Sequence, residues 1–141
     1  MVYNFIKSVL DSKGYNSSQD TPLGELLDTA EQHFVYTADG EVVSDMSIGS
    51  MVIDNQQTFK IYGVTSDLYD GASQDDMGIT LMGIYKEMRT QLPVTVVDTN
   101  GSHKITDVIS PAVTFVGVDK KTLRVTELRF VVLWSYNYGN I

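Results

Sequence analysis

The stretch LRVTELRFVVLWSY, residues 123–136, decides how this chain folds. Successive side chains of a strand point to opposite faces, so Leu128, Phe130, Val132 and Trp134 share one face while Arg129, Val131 and Leu133 share the other. Both faces become apolar towards the end of the stretch. A strand buried on both sides lies at the centre of a sheet or beneath a partner subunit. The remaining sequence has to supply that sheet and whatever covers it.

Working outward, Val113 to Val118 precedes this strand across Asp119-Lys120-Lys121-Thr122. Further back, Val94 to Asp98 meets Asn100-Gly101, a strong turn signal, and the chain extends again through Lys104 to Ile109 until Ser110-Pro111 interrupts it. In the first half, Thr58 to Val64 alternates cleanly, with Phe59, Ile61 and Gly63 on one face and Lys60, Tyr62 and Val64 on the other. His33 to Thr37 and Glu41 to Val43 flank Ala38-Asp39-Gly40, which predicts a hairpin because Asp and Gly tolerate positive φ. Another strand is expected to begin near Ile48. From Thr65 to Asp75 the alternation stops and an exposed loop is expected, closed by Asp75 and Asp76 at the positive end of a helix.

Two segments carry the helical period. Val2, Phe5, Ile6, Val9 and Leu10 fall on one stripe, and Gly14 follows where a left-handed cap forms most easily. Met77, Leu81, Ile84, Tyr85, Met88 and Leu92 form a second stripe, with Lys86, Glu87 and Arg89 off it and Pro93 ending the element. Gly78 and Gly83 within that helix predict close packing on the sheet. Between the helices, Asn16 to Asp20 reads as a polar stretch, and Thr21-Pro22 before Leu26, Leu27 and Ala30 reads as a short helical turn. The expected class is α+β: a mixed, largely antiparallel sheet packed against an N-terminal helix and a central helix.

Composition bounds the function. The 141 residues, 43% hydrophobic and 20% charged with three prolines, suit one folded domain, 1–141. No cysteine is present, so disulfides, thiolate metal sites and thiol nucleophiles are excluded. The apolar residues of Met1 to Leu10 are broken by Asn4, Lys7 and Ser8, so neither a standard export signal nor a spanning segment is expected. A net charge of −8 opposes adsorption to phosphate backbones, which require clustered Lys and Arg.

Catalytic patterns are not found in the sequence. His33 and His103 are the only histidines, and neither has an acid or second ligand at helical or turn spacing. No phosphate loop, dinucleotide fingerprint or nucleophile elbow occurs, so the chain is expected not to be an enzyme and to need no cofactor or metal. The acids Asp67, Asp70, Asp75 and Asp76 do not follow a calcium-loop spacing and read as a solvated loop with a helix cap. Trp134, Tyr136 and Tyr138 recur with period two, but no basic residue interleaves them after Arg129, as base-stacking platforms require. Core or subunit packing is the expected role, and Leu133, Trp134, Tyr136 and Tyr138, with Phe5 of the first helix, are the candidate subunit or tube contacts.

This order of parts, with Gln57-Thr58-Phe59-Lys60-Ile61-Tyr62-Gly63 ahead of a long helix and then an Asn-Gly turn and a closing long strand, resembles the tail terminator family of long-tailed bacteriophages. It is also similar to the minor capsid proteins encoded with head-tail connector genes. The resemblance spans nearly the whole chain. It implies a virion structural protein, assembled in the host cytoplasm, that forms a homohexameric ring at the head-proximal end of the tail. Such a ring caps the tube of tail tube protein, stops its polymerisation and presents its other face to the head-completion protein, with DNA only passing through the lumen and no membrane involved. The acids Asp67, Asp70, Asp75 and Asp76 are the candidate lumen or neighbour-contact residues, since carboxylates repel DNA phosphates. A head-completion or connector protein and a small-molecule binding domain are the alternatives.

Overall fold

The computed structural model describes residues 1–22, 32–46, 52–66, 74–99, 101–118 and 123–137. Helix α1 (Val2–Ser12) is followed by strands β1 (Ser17–Gln19), β2 (His33–Ala38), β3 (Val43–Met46) and β4 (Val52–Ser66). Helix α2 (Gln74–Gln91) then leads to β5 (Val94–Asp98), β6 (Gly101–Val118) and β7 (Leu123–Asn137). The strands join in one sheet of order β1-β2-β4-β7-β6-β5, with β3 paired to β4 off that path. Every pairing is antiparallel except β1 with β2. The molecule is therefore mixed α+β with a mostly antiparallel sheet, and β7 is its central strand, hydrogen-bonded along its length to β4 on one side and β6 on the other.

Both helical stripes turn inward. Val2, Phe5, Ile6, Val9 and Leu10 of α1 and Met77, Leu81, Ile84, Tyr85 and Met88 of α2 share one core with Phe34, Phe59, Ile61, Ile105, Phe130 and Val132 of the sheet. Gly14 takes φ 73° at the end of α1, and the N–H groups of Gly14 and Tyr15 donate to the carbonyls of Asp11 and Leu10 at 2.9 and 3.1 Å. Tyr15 then stacks on Phe34, with ring centroids 4.8 Å apart. Leu92, the last member of the second stripe, lies just beyond α2 and packs half-buried against the core.

Several sequence expectations are corrected. The polar stretch Asn16 to Asp20 contains a strand: β1 runs parallel to β2, Ser17 opposite Phe34 and Gln19 opposite Tyr36. No side-chain alternation announces it, because its ladder is made by backbone groups that every residue carries. The expected hairpin at Ala38-Asp39-Gly40 does not pair its two arms. Instead β2 and β3 lie end to end along the same edge of β4, with Ala38 opposite Phe59 and Val43 opposite Gln56. Gly40 does take positive φ, 100°, and the Asp39 N–H donates to the Thr58 carbonyl at 2.8 Å. Strand β4 starts at Val52, ahead of the expected Thr58, because its polar first half is held by ladders to β3 and β7 rather than by an apolar face. The strand expected near Ile48 and the short turn over Leu26, Leu27 and Ala30 lie outside the described residues.

Ser110-Pro111 does not end β6. The strand continues through a bulge, Ile109 facing Val131 and Ala112 facing Arg129, with Ser110 at φ 57° absorbing the extra residue. Strand β5 pairs β6 only from Gly101 to Ile105, and Pro111 sits inside the bulge, where the ladder to β7 is already interrupted between Ile109 and Ala112. The expected hairpin at Asn100-Gly101 does form, with Asp98 opposite Gly101.

The glycines also depart from expectation. Gly83 has open space where a Cβ would sit, and a Cβ on Gly78 would meet Val113 only at an ordinary 3.6 Å. The close approaches are at Gly63, where a Cβ would overlap Met77 Sδ, and at Gly101, where it would overlap the Asn137 carbonyl oxygen. Urea unfolding should separate these cases. Gly101→Ala, facing rigid backbone, is expected to destabilise by about 1–3 kcal/mol, and Gly63→Ala by less, because Met77 can shift. Gly83→Ala should stabilise by about 0.5–1 kcal/mol through helix propensity and a less free unfolded chain.

Candidate functional site

The sheet has a helix-covered face and an outer face, and strand parity assigns each residue to one of them. Gln57, Phe59 and Ile61 lie opposite Val132, Phe130 and Leu128 on the covered face. Lys60 and Tyr62 lie opposite Arg129 and Glu127 on the outer face. There, Lys60 Nζ reaches Glu127 at 2.8 Å and Asp39 at 3.7 Å, while Arg129 also pairs with Asp39. Two cations and two carboxylates thus neutralise one another, and the hydrogen bond to Glu127 raises the Lys60 ammonium above its ordinary pKa. This is a closed network that gives strand register and leaves little net charge for a ligand.

The proposed contact residues separate in space. Phe5 and Tyr136 are 6% and 8% exposed, so the structure corrects their assignment as surface contacts: Phe5 is a core residue, and Tyr136 packs on the His103 ring at 4.2 Å between centroids. Of the two roles expected from their periodicity, core or subunit packing, these two side chains take packing within the single chain. Trp134 is half-buried against the core on the covered face, whereas Leu133 is half-buried on the outer face. Asp76 is exposed in the first turn of α2. Tyr138, Asp67 and Asp70 lie outside the described residues, as does the side chain of Asp75.

What the sequence reading missed is where the exposed apolar surface gathers. Eight large hydrophobic residues are exposed among the described ones, and seven of them sit at sheet edges: Val42 and Val43 at β3, Val96 and Val97 on β5, and Val113, Phe115 and Val116 on β6. A legible signal existed in the run from Val108 to Val118, which holds no charged residue in a chain of net charge −8. Edges normally carry charge or are covered, because unpaired backbone groups template further strands. One point on β6 is covered. The Val108 carbonyl accepts from Tyr85 Oη at 2.8 Å and its N–H donates to the Asp107 carboxylate at 2.8 Å. On the opposite side of the sheet, the Ala38 N–H donates to Tyr3 Oη at 3.0 Å.

Register also aligns charge across the sheet. Thr95 pairs Lys104, Lys104 pairs Ser135, Ser135 pairs Asp54 and Asp54 pairs Asp45, which makes one row on the outer face from the β5 edge to the β3 edge. Asp45 directly opposite Asp54 is a like-charge pair, an arrangement that destabilises an isolated sheet. None of Lys104, Asp45 and Asp54 forms an ion pair among the described residues.

Two clefts accompany these edges. One, of about 440 Å³, lies between α1, the end of α2 and the β5–β6 hairpin, lined by Phe5, Ser8, Gln91, Val94, Val96 and His103. The other, of about 380 Å³, lies over β3, β4 and β7 and is lined by Asp45, Asp54, Leu133 and Trp134 among others. Among the described residues no group of three or more His, Cys, Asp and Glu is placed to hold a metal ion, and no helix is long and apolar enough to cross a membrane. No protein-family model matches the chain, and no curated protein matches it.

His33 is the titratable group with a structural consequence. Its Nε2 lies 2.9 Å from Ser18 Oγ, joining β2 to β1, and burial lowers its pKa below the usual 6.5. The unfolded chain therefore takes up a proton first as pH falls through 6.5, so the contribution of His33 is full above that value and is lost below it. The urea midpoint is expected to fall between pH 7.5 and 5.5, and His33→Gln should flatten that part of the profile.

Proposed function

We propose that this chain is a virion assembly protein, a tail terminator that caps the tail tube as a ring and offers the junction to the head. The observation that carries the reading is the gathering of exposed apolar side chains at the edges of the sheet. Surface apolar groups placed singly need no explanation, but seven of eight gathered at strand edges that lack a partner strand among the described residues suit a subunit that completes its sheet by association. The order of elements, helix, strands, long helix and three closing strands, is the order on which the resemblance to tail terminators rests. On this reading the two helices cover one face of the sheet in each subunit. Growth stops by geometry: a ring satisfies the tube-end interface without regenerating an equivalent one.

The acidic balance suits the same role. A net charge of −8 keeps subunits soluble before assembly and keeps a central passage from binding DNA. Asp67, Asp70, Asp75 and Asp76 remain the proposed lumen or neighbour-contact acids, and Leu133, Trp134 and Tyr138 the proposed tube or subunit contacts. The ring would be a hexamer in contact with tail tube protein on one face and head-completion protein on the other.

A second reading, a small-molecule binding domain, draws on the cleft of about 440 Å³ beside α1, which falls in the range of ligand pockets. A thermal-shift screen discriminates: a ligand at a hundred times its Kd stabilises a folded domain by about 2.7 kcal/mol, so a hit lost on Val96→Glu would favour this reading.

The primary test is tail length by electron microscopy in a phage lysate lacking only this gene product. Overlong tubes without heads are the expected result. Tails of normal length that fail to join heads would favour the connector alternative, and unaffected virions would overturn both assembly roles.

A further inference from the structure

We infer that copies of this chain join head to tail by strand addition, the β5 edge of one copy pairing with the β3 edge of the next, so that Lys104 faces the neighbour's Asp45, with Asp54 one strand behind it. The inference rests on the assembly reading for ring closure and adds the surface by which the ring would form.

Four observations support a second copy as the occupant. First, β3 and β5 are the two outermost strands at one end of the sheet, which there runs β3-β4-β7-β6-β5. Second, both carry exposed valines, Val42 and Val43 at one edge and Val96 and Val97 at the other, at 46–69% exposure. Third, the two strands run in the same direction, because each is separated from the central β7 by an even number of antiparallel steps. Copies related by rotation about an axis along the strands keep that direction, so β5 would add to β3 of the next copy in parallel, a heterologous contact that generates rings.

The fourth observation is charge. Within one chain the row Thr95, Lys104, Ser135, Asp54, Asp45 places a lysine beside one edge and two opposed aspartates at the other. Added end to end, the rows of neighbouring copies bring Lys104 to within about two strand spacings, ~10 Å between backbones, of the neighbour's Asp45. A lysine and an aspartate reaching towards each other span that gap. The like-charge pair, a liability in the isolated chain, becomes the recognition element for the next copy. A two-fold contact of β5 with β5 offers no such match, since it leaves both aspartate pairs unanswered.

The absence of native cysteine makes the test direct. Val43→Cys and Thr95→Cys lie on exposed positions of β3 and β5, and a short bismaleimide joins thiols brought together between copies. Purified, concentrated protein carrying both substitutions should give a ladder of covalent multimers. The two single variants mixed should give dimers and nothing larger, and each alone should give none. Adding Lys104→Glu should reduce the ladder at least about tenfold, and Asp45→Lys with Asp54→Lys in the same chain should restore it. Thermal melts of each variant confirm that it is folded.

Dimers from Thr95→Cys alone would overturn the head-to-tail contact in favour of a two-fold one. Monomer throughout would overturn the interface, and a ladder insensitive to Lys104→Glu would overturn the role of the charged row. Tail-length microscopy remains separate. A ladder with normal tails keeps the interface and removes the terminator role, while overlong tails without a ladder do the reverse.

Discussion

The double ladder around β7 is the constraint on which the rest of this structure depends. Its 15 residues, Leu123–Asn137, span roughly 50 Å at about 3.3 Å per residue, and β4 and β6 follow it along nearly that whole length. A strand with both edges hydrogen-bonded needs no polar side chains to protect its backbone, so it can be apolar on both faces. Leu128, Phe130 and Val132 use that freedom on the covered face, where the stripes of α1 and α2 close over them. On the outer face Val125 is buried with Val64, and Lys60, Arg129, Asp39 and Glu127 knit β4 to β7 by charge.

The length of the central strands creates the problem that the periphery has to solve. Among the described residues no outer neighbour is as long as β4 or β6, so their outer edges are covered piecewise. Strand β4 takes β2 and β3 in succession, and β6 takes β5 over its first five residues and the Tyr85 hydroxyl at Val108. The Asp107 carboxylate takes the other free group of Val108 and also lies 4.0 Å from Arg89 of α2, so the helix is tied to the strand where β5 stops. A bulge and a proline follow immediately. Beyond them the edge carries Val113, Phe115 and Val116 without a charge, in contrast to the guarded segment before it.

Edge chemistry thus divides the molecule into guarded and open margins, and the open ones hold seven of the eight large apolar residues exposed among the described ones. This division links the fold to the proposed role: a sheet that is complete at its centre and incomplete at its margins favours association without requiring any rearrangement of the core. In the proposed head-to-tail contact, a lysine near one margin and paired aspartates at the other would give association a direction, which apolar contact alone cannot supply.

The sequence by itself determined the elements whose partners lie across a face. Both amphipathic helices, the Gly14 cap, the β5–β6 turn and the central place of the last strand were all legible, because the period of side chains along a segment records which side meets the core. It did not determine which backbone lies beside which. The parallel strand β1, the end-to-end placement of β2 and β3, the continuation of β6 through Ser110 and Pro111, and the apolar margins were decided only in the tertiary structure. Phe5 and Tyr136 show the same limit from the other side: their spacing told that they pack, and only the fold told against what. Hydrogen bonds between strands are made by groups that every residue carries, so the pairing leaves little trace in side-chain identity and is settled by what else the folded chain brings alongside.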